Sequence, residues 1–293
     1  MDGVIVVDKP SGWTSHDVVN KMRRIAGTRK VGHLGTLDPL ATGVLPLVIG
    51  RATRLAQFFT LNQKTYEGTI HFGFSTDSYD GDGTPTSPEL PITLDRNTLD
   101  PLLEEFRGEL LQVPPAVSAK KIAGRPAYEL ARKSLPVNLP AVQVHVHELV
   151  VLDISENEAS VRVRCSAGTY IRSIAHDAGQ KLGCGAFLKA LRRTASGDFT
   201  IAQSRTLETL EQMSAEHRLD EALIPAAQLL PEMPAHVADD ETVAQIKNGR
   251  DFAVSPFQIA AGTRLVKVLT RQGQLVAVGE AKFSHLFHPL LVM

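Results

Sequence analysis

The sequence predicts an α+β fold, with a large mixed, mainly antiparallel sheet flanked by helices and a small mostly-β unit behind it. Three observations predict it. Apolar residues alternate with polar ones over 65–74, 142–147 and 161–165, the period of a half-buried strand. They recur at i, i+3, i+4 and i+7 over 15–26 and 171–182, the period of a helix with one buried face. The two kinds of segment mix without regular β-α-β alternation, which disfavours an all-parallel sheet.

The elements follow in order. In SHDVVNKMRRIA (15–26), Val18, Val19, Met22 and Ile25 share a face, Thr14 or Ser15 caps the start and Gly27 stops the helix. TYEGTIHFGF (65–74) places Tyr66, Ile70, Phe72 and Phe74 on one side of a strand. Residues 75–96 are rich in Gly, Asp and Pro and read as a loop. Thr98 to Phe106 reads as a short helix closed by Gly108, and Pro126 suits the first turn of another, RPAYELARK. Two strands follow, on Val142, Val144 and Val146 and on Val161, Val163 and Cys165. Ile171, Ile174, Ala175, Ala178 and Leu182 then form a helix face that Thr169 is placed to cap. Pro225, Pro231 and Pro234 mark 225–236 as a linker. The tail offers a helix from Thr242 to Asn248, ended by Gly249, and strands LVKVL and LVAVGEAKF around Arg271–Gln274.

A chain of 293 residues, 43% hydrophobic and 22% charged, suits a large domain with a small one and buries a real core. Two cysteines, Cys165 and Cys184, make neither a disulfide framework nor a C-x-x-C pair. MDGVIVVDKPSG is too short in its apolar part for a signal peptide, and no apolar run approaches the roughly 18 residues of a membrane span. A cytoplasmic protein without membrane attachment is expected. The net charge of −1 says nothing for nucleic acid, but its distribution does. Residues 67–105 hold nine acids against one arginine, and 162–193 hold seven bases against one aspartate. Lys21/Arg23/Arg24/Arg29/Lys30 and Lys120/Lys121/Arg125/Arg132/Lys133 are further basic clusters. Such segregation builds either a basic binding face or a set of solvated surfaces.

The motifs exclude several chemistries. His145-x-His147 and His285-x-x-His288 lack the further ligands of a metal site and read as polar edges, so no metal is expected. DSYDGDG (77–83) lacks the spacing and closing Glu of a calcium loop. Neither a phosphate-binding G-x-x-x-x-G-K-[ST] nor a G-x-G-x-x-G occurs, and no cofactor is expected. Cys165, alternating with valines, reads as core. Asp38 in GHLGTLDPLATGVL (32–45) is different, an acid set among Gly, Pro, His and apolar residues. An Asx-turn accounts for Asp before Pro. A buried carboxylate that needs a cation also accounts for it, and Arg172 supplies a candidate. It falls in the first turn of the helix after Thr169, where the helix dipole disfavours a positive charge unless an anion compensates it.

GHLGTLDPLATGVLP (32–46) resembles the catalytic motif of the TruB-type pseudouridine synthases. VDKPSGWTSHDVV (7–19), KTYEG (64–68), TDSYDGDG (76–83), PPAVSAKKIAGRPAYELAR (114–132), CSAGTYIRSIAHDAG (165–179) and LRRTASGDF (191–199) resemble the family's other blocks, in family order. The departures are Leu34 where a threonine is commoner, Tyr79 where a small residue is expected, and Val117 where a larger one is usual.

The resemblance implies isomerisation of uridine 55 in the T loop of tRNA to pseudouridine, with the uridine flipped out of its stack. Asp38 is then the nucleophile, open to attack at C1′ or at C6, and Arg172 holds it ionised with its planar fork. Tyr66 stacks on the uracil and serves as a base toward C5, Tyr170 and Leu191 line the pocket, and His33 holds the rearranged loop. Residues 1–230 become the catalytic domain and 235–293 a PUA-like RNA-binding domain. The partner is the T arm of tRNA, met by a monomer without guide RNA, without cofactor or metal. Two rivals remain on the same fold, a non-catalytic RNA-binding module or chaperone and the related guide-RNA enzyme. Asp38, Tyr66 and Arg172 together disfavour the first, and the lack of a basic tail the second. A glycosidase-like hydrolase would want a second carboxylate as acid, and the motif holds none.

Overall fold

The computed structural model describes residues 1–118, 121–122, 125–126, 139–255, 257–260 and 262–293. Its strands in chain order are β1 (Gly3–Lys9), β2 (Val31–His33), β3 (Thr42–Ile49), β4 (Lys64–Phe72), β5 (Gly108–Gln112), β6 (Lys121–Ile122), β7 (Arg125–Pro126), β8 (Val142–Ser155) and β9 (Glu158–Cys165). They continue with β10 (Ala186–Ser196), β11 (Phe199–Thr200), β12 (Leu223–Pro225), β13 (Ala235–Val237), β14 (Phe252–Ala253), β15 (Leu265–Leu269), β16 (Leu275–Phe283) and β17 (Leu286–Val292). The α-helices among the described residues are α1 (Ser15–Ile25), α2 (Arg96–Glu104), α3 (Ile171–Lys181), α4 (Leu207–Ala215) and α5 (Asp240–Lys247).

The fold is α+β, as expected. Ten strands form one sheet along the path β12-β1-β3-β10-β4-β9-β8-β5, with β2 beside β3 and β11 beside β10. Its pairings are antiparallel apart from β3 with β10. That parallel joint sets Arg193 beside Gly43. Gly43 adopts φ +97°, and a Cβ there would lie 2.3 Å from the Arg193 carbonyl oxygen. Only glycine lets the two strands close at this point.

β1 is buried on both faces, which is why VIVV runs apolar without alternation. Ile5 and Val7 join Leu45, Leu47, Ile70, Phe72, Val161 and Val163 under α1 to α4, with Met22, Leu99, Ile174 and Leu210 from the helices. Val4 and Val6 face the other way. They pack with Val44 and Val48 from β3, Leu55 and Phe59 from the 3₁₀ segment Gly50–Phe59, and Val278 and Leu291 from the tail.

Most expected elements form, and the exceptions have physical reasons. Asp17 N–H donates to Thr14 Oγ1 at 3.1 Å and the Asp17 carboxylate accepts from Thr14 N–H at 3.0 Å, closing a capping box on α1. α2 starts two residues before Thr98, because Asp95 caps it through Thr98 N–H at 3.0 Å. Thr169 does not cap α3. Its hydroxyl donates back to the Ser166 carbonyl at 3.0 Å, and the helix begins after Tyr170 without a side-chain cap. Pro126 does not start a helix either, since Arg125–Pro126 pairs antiparallel with Lys121–Ile122. A two-residue edge strand tolerates a missing N–H. Residues 127–133 of that expected helix lie outside the described residues.

The tail folds into a five-stranded sheet, β13-β15-β16-β17-β14, with α5 against it. The proline-marked stretch 225–236 is not a free tether. Pro225 pairs with Gly3 in β12–β1, and Ala226 N–H donates to Asp2 O at 3.1 Å. From the tail, buried Lys267 donates to the Ala227 and Leu229 carbonyls at 3.3 and 2.9 Å. Truncation after Pro234 therefore strips Val278 and Leu291 from the cluster that covers Val4, Val6, Val44 and Val48. The shortened chain should aggregate or lose at least about 5 °C in thermal midpoint, where 1 kcal/mol corresponds to about 2–4 °C at this size. A midpoint equal to that of the full chain in calorimetry would contradict this packing.

Candidate active site

A cleft of about 360 Å³ opens between the 35–38 turn, β4, β10 and the start of α3. Asp38, Tyr66, Tyr170, Arg172 and Leu191 all line it. His33 does not. It stands at the end of β2, half-buried, with its Nδ1 buried and without a hydrogen-bond partner among the described residues. Burial, reinforced by Arg193, pushes its imidazole below the ordinary histidine range.

Asp38 is both a turn residue and an ion-pair partner. Its carbonyl accepts from Ala41 N–H at 3.1 Å, closing the turn. Its carboxylate Oδ2 lies 3.0 Å from Arg172 Nε. The Asp38 side chain is 36% exposed, toward the cleft, while that of Arg172 is 4% exposed. The Nε–H is not aligned on the oxygen, so the contact is a charge pair and not a directed hydrogen bond. Burial pushes the Asp38 carboxyl above the ordinary aspartate range. Arg172 opposes that push and Asp80 adds to it.

The fork of Arg172 is divided, not bidentate on Asp38. Nη1 donates to Asp80 Oδ2 and to the Ser78 carbonyl, both at 3.1 Å, and Nη2 donates to the Val117 carbonyl at 3.0 Å. Asp80, with a side chain 8% exposed, is thus the second carboxylate of the site. Its own Oδ1 accepts from Ser78 Oγ–H and from Asp82 N–H at 3.2 Å. Spacing gave little signal for Asp80, because DSYDGDG has the composition of an ordinary turn.

Other side chains hold the turn in place. Ser15 Oγ accepts from Leu37 N–H at 2.8 Å and donates to the Leu37 carbonyl at 3.1 Å, tying α1 to the residue before Asp38. Lys9, fully buried, donates to the Pro10, Trp13 and Pro39 carbonyls at 2.9, 2.6 and 3.2 Å. Burial pulls its ammonium down to about 8. Arg193, also buried, donates to Val44 O at 2.7 Å, Gly35 O at 3.0 Å and Thr36 O at 3.3 Å. Gln112 brackets Tyr170, accepting from its N–H at 2.7 Å and donating to its carbonyl at 2.9 Å. These four anchors were not legible as site residues.

Tyr66 is cross-strand from Arg193 and nearly buried. Burial raises its phenol above the ordinary tyrosine range, against the pull of Arg193. Lys64, Arg172 and Arg193 line the cleft with Asp38 as the one carboxylate among its lining residues, so its walls favour an anion. Of the basic run 162–193, Arg172 and Arg193 are buried, whereas the others stay at the surface beside acids: Arg162 and Arg164 reach Glu148, Lys181 Glu105, Lys189 Glu158 and Arg192 Asp8. Arg23, Arg24 and Arg29 do gather around a shallow hollow with Gly27 and Thr28. The cluster at 120–133 lies outside the described side chains.

Replacing Arg172 by Met keeps most of the side-chain length and removes the guanidinium that opposes the upward push on Asp38. The Asp38 carboxyl should then titrate at a higher pH than in the parent chain, measured by ¹³C NMR of the carboxyl carbon. An unchanged or lower midpoint would contradict the ion pair.

The profile described as TruB family pseudouridylate synthase (N terminal domain) matches residues 23–171, and that of the tRNA pseudouridylate synthase B C-terminal domain matches 172–231. The tRNA pseudouridine synthase B of Solibacter usitatus (strain Ellin6076) is 60% identical over 293 residues, covering 100% of both chains. That of Azoarcus sp. (strain BH72) is 44% identical over 252 residues, covering 86% of this chain and 83% of its own. Among solved structures, a Cbf5-Nop10-Gar1 complex superposes with TM-score 0.74 at 31% identity, over 99% of this chain and 84% of that one. An H/ACA RNP bound to a substrate RNA containing 2′-deoxyuridine gives 0.73 at 28%, over 99% and 85%. Two family profiles that together span residues 23–231, and 60% identity over the full chain to a curated relative, establish that the chain belongs to the TruB family of pseudouridylate synthases.

Proposed function

We propose that this tRNA pseudouridine synthase isomerises uridine 55 in the T loop, with Asp38 as nucleophile. The observation that carries the reading is the Asp38–Arg172 pair at 3.0 Å on the floor of the cleft. The reaction breaks the C1′–N1 bond, turns the uracil and forms C1′–C5, while C5 loses a proton and N1 gains one. It needs an ionised carboxylate in a water-poor site, and no electron or phosphoryl group moves. Arg172 favours the ionised form of Asp38 against the cost of burial. Lys9, Ser15 and Arg193 fix the backbone around Asp38, so it meets the uridine without reorganising.

The target base is stacked within the loop and is extruded to reach the cleft. Tyr66 and Leu191 offer it an apolar and aromatic bed, with Tyr170 at the rim. The raised Tyr66 phenol stays protonated at neutral pH, which supports stacking more than proton abstraction. In this reading His33, outside the cleft at the end of β2, holds the rearranged loop. Lys64 and the Arg23/Arg24/Arg29 hollow suit phosphates of the T arm. Residues 1–230 form the catalytic domain in this reading and 235–293 a PUA-like RNA-binding domain, whose exposed Arg250, Arg264 and Arg271 fit the same backbone. The 60% identity to a tRNA pseudouridine synthase B over the full chain supports tRNA as the partner, and in this reading the chain acts as a monomer without guide RNA.

The test is digestion of tRNA after incubation with the protein alone, with pseudouridine located by sequence position. Asp38→Asn should abolish the product, by at least about a thousandfold or roughly 4 kcal/mol of barrier, while tRNA binding stays near that of the parent. Arg172→Lys should lose roughly tenfold or more, since one ammonium cannot serve Asp38, Asp80, Ser78 and Val117 together. Turnover by Asp38→Asn within tenfold of the parent would overturn the assignment.

A further inference from the structure

The turn that carries Asp80 is fastened to α3 twice. One fastening is Asp80 on Arg172. The other lies one helical turn further on, where the Tyr79 ring stacks on the His176 imidazole with centroids 3.7 Å apart and planes within 13°. His176 follows Arg172 by four residues, so the two side chains share a face of the helix.

Tyr79 is also an awkward residue for its place. It adopts φ +64°, a left-handed conformation in which large side chains are uncommon. A small residue is what the turn asks for. The bulky ring is therefore kept against a backbone preference, and the stack is its visible compensation. The turn is wound tightly around it. Leu188 N–H donates to the Tyr79 carbonyl and Gly81 N–H to the Leu188 carbonyl, both at 3.0 Å. A Cβ at Gly83 would lie 2.2 Å from Ser78 Oγ. His176 Nδ1 is buried without a hydrogen-bond partner among the described residues, so stacking and not hydrogen bonding orients that side of the ring. Neither residue lines the cleft.

We infer that Tyr79 and His176 are positioning residues for pseudouridine formation: their stack holds the left-handed turn so that Asp80 stays on Arg172 and Arg172 stays on Asp38. The inference rests on the assignment of Asp38 and Arg172 to the reaction. It concerns the rate of the chemical step and not the binding of tRNA. Loss of the stack lets the 78–80 backbone drift, and the Ser78 carbonyl and Asp80 carboxylate that hold Nη1 drift with it.

The test is single-turnover pseudouridine formation with saturating protein, alongside tRNA affinity and thermal midpoint. Tyr79→Ala and His176→Ala should each slow the step by roughly tenfold to a hundredfold, the effect of a misplacement near 1 Å. Affinity for tRNA should stay within about twofold. Tyr79→Phe keeps the ring and should restore the rate, and the double alanine variant should be about as slow as the slower single one, since coupled residues are not additive. If Tyr79→Ala does not fold, His176→Ala decides alone, because alanine suits a helix interior. A parent-like rate in His176→Ala, a Phe variant as slow as Ala, a loss confined to affinity, or losses that multiply would each overturn the inference. The ¹⁵N shift of Arg172 Nε reads the same positioning without turnover. It should move in the alanine variants and not in Tyr79→Phe, which keeps this test separate from whether the parent chain makes pseudouridine.

Discussion

One guanidinium, buried between two carboxylates, organises the functional half of this molecule. Burying an ion costs several kcal/mol, and an isolated arginine in the first turn of a helix also opposes the helix dipole. Arg172 is tolerable there because Asp38, Asp80 and two backbone carbonyls converge on it. The same convergence decides which loops approach. The 35–41 turn, the 76–83 turn and the chain at Val117 are far apart in sequence, and each has a polar atom that the guanidinium draws in. Of these, the Asp38 turn meets the guanidinium inside the cleft, and the other two hold it from behind.

The Asp38 turn is held as firmly from below. β1 contributes Lys9, which donates to the Pro39 carbonyl as well as to those of Pro10 and Trp13; α1 contributes Ser15, bound to the Leu37 backbone; and β10 contributes Arg193, which reaches the Gly35, Thr36 and Val44 carbonyls. Buried cations that donate only to carbonyls have little freedom to turn elsewhere, since an unpaired buried donor is costly. Gly43 makes the arrangement possible, because the parallel joint between β3 and β10 closes on it. Sheet topology thus sets the position of Asp38, and not only its neighbourhood. A site supported this way is preorganised before any substrate arrives.

Much of this was legible in the sequence, for reasons that are specific to the residues. Strand and helix periods showed where β4, β8, β9, α1 and α3 lie, and the dipole argument at Arg172 pointed to an anionic partner, which the structure supplies in Asp38. The second partner was hidden, since Asp80 sits among Gly, Asp and Ser that also make common turns. Arg193 belongs to a basic run, and nothing in the sequence marks Lys9, until the fold buries both. Thr169 has the composition of a cap, yet its hydroxyl finds Ser166 first. The basic run at 162–193 was compatible with a binding face or with solvated surfaces, and the fold divides it: Arg172 and Arg193 are buried while Arg162, Lys181, Lys189 and Arg192 stay at the surface beside Glu148, Glu105, Glu158 and Asp8. Pairs between distant elements are what a single sequence conceals.

The central claim is that Asp38 acts as an ionised carboxylate whose charge the buried site disfavours and Arg172 restores. Because burial moves its titration upward, the reactive form is lost as pH falls through a value above the ordinary aspartate pKa of about 3.9. The measurement is the single-turnover rate of pseudouridine formation against pH, with circular dichroism confirming that the chain stays folded across the range. An acid limb with its midpoint above that ordinary value is the predicted result. A rate that stays level down to about pH 4 would contradict it.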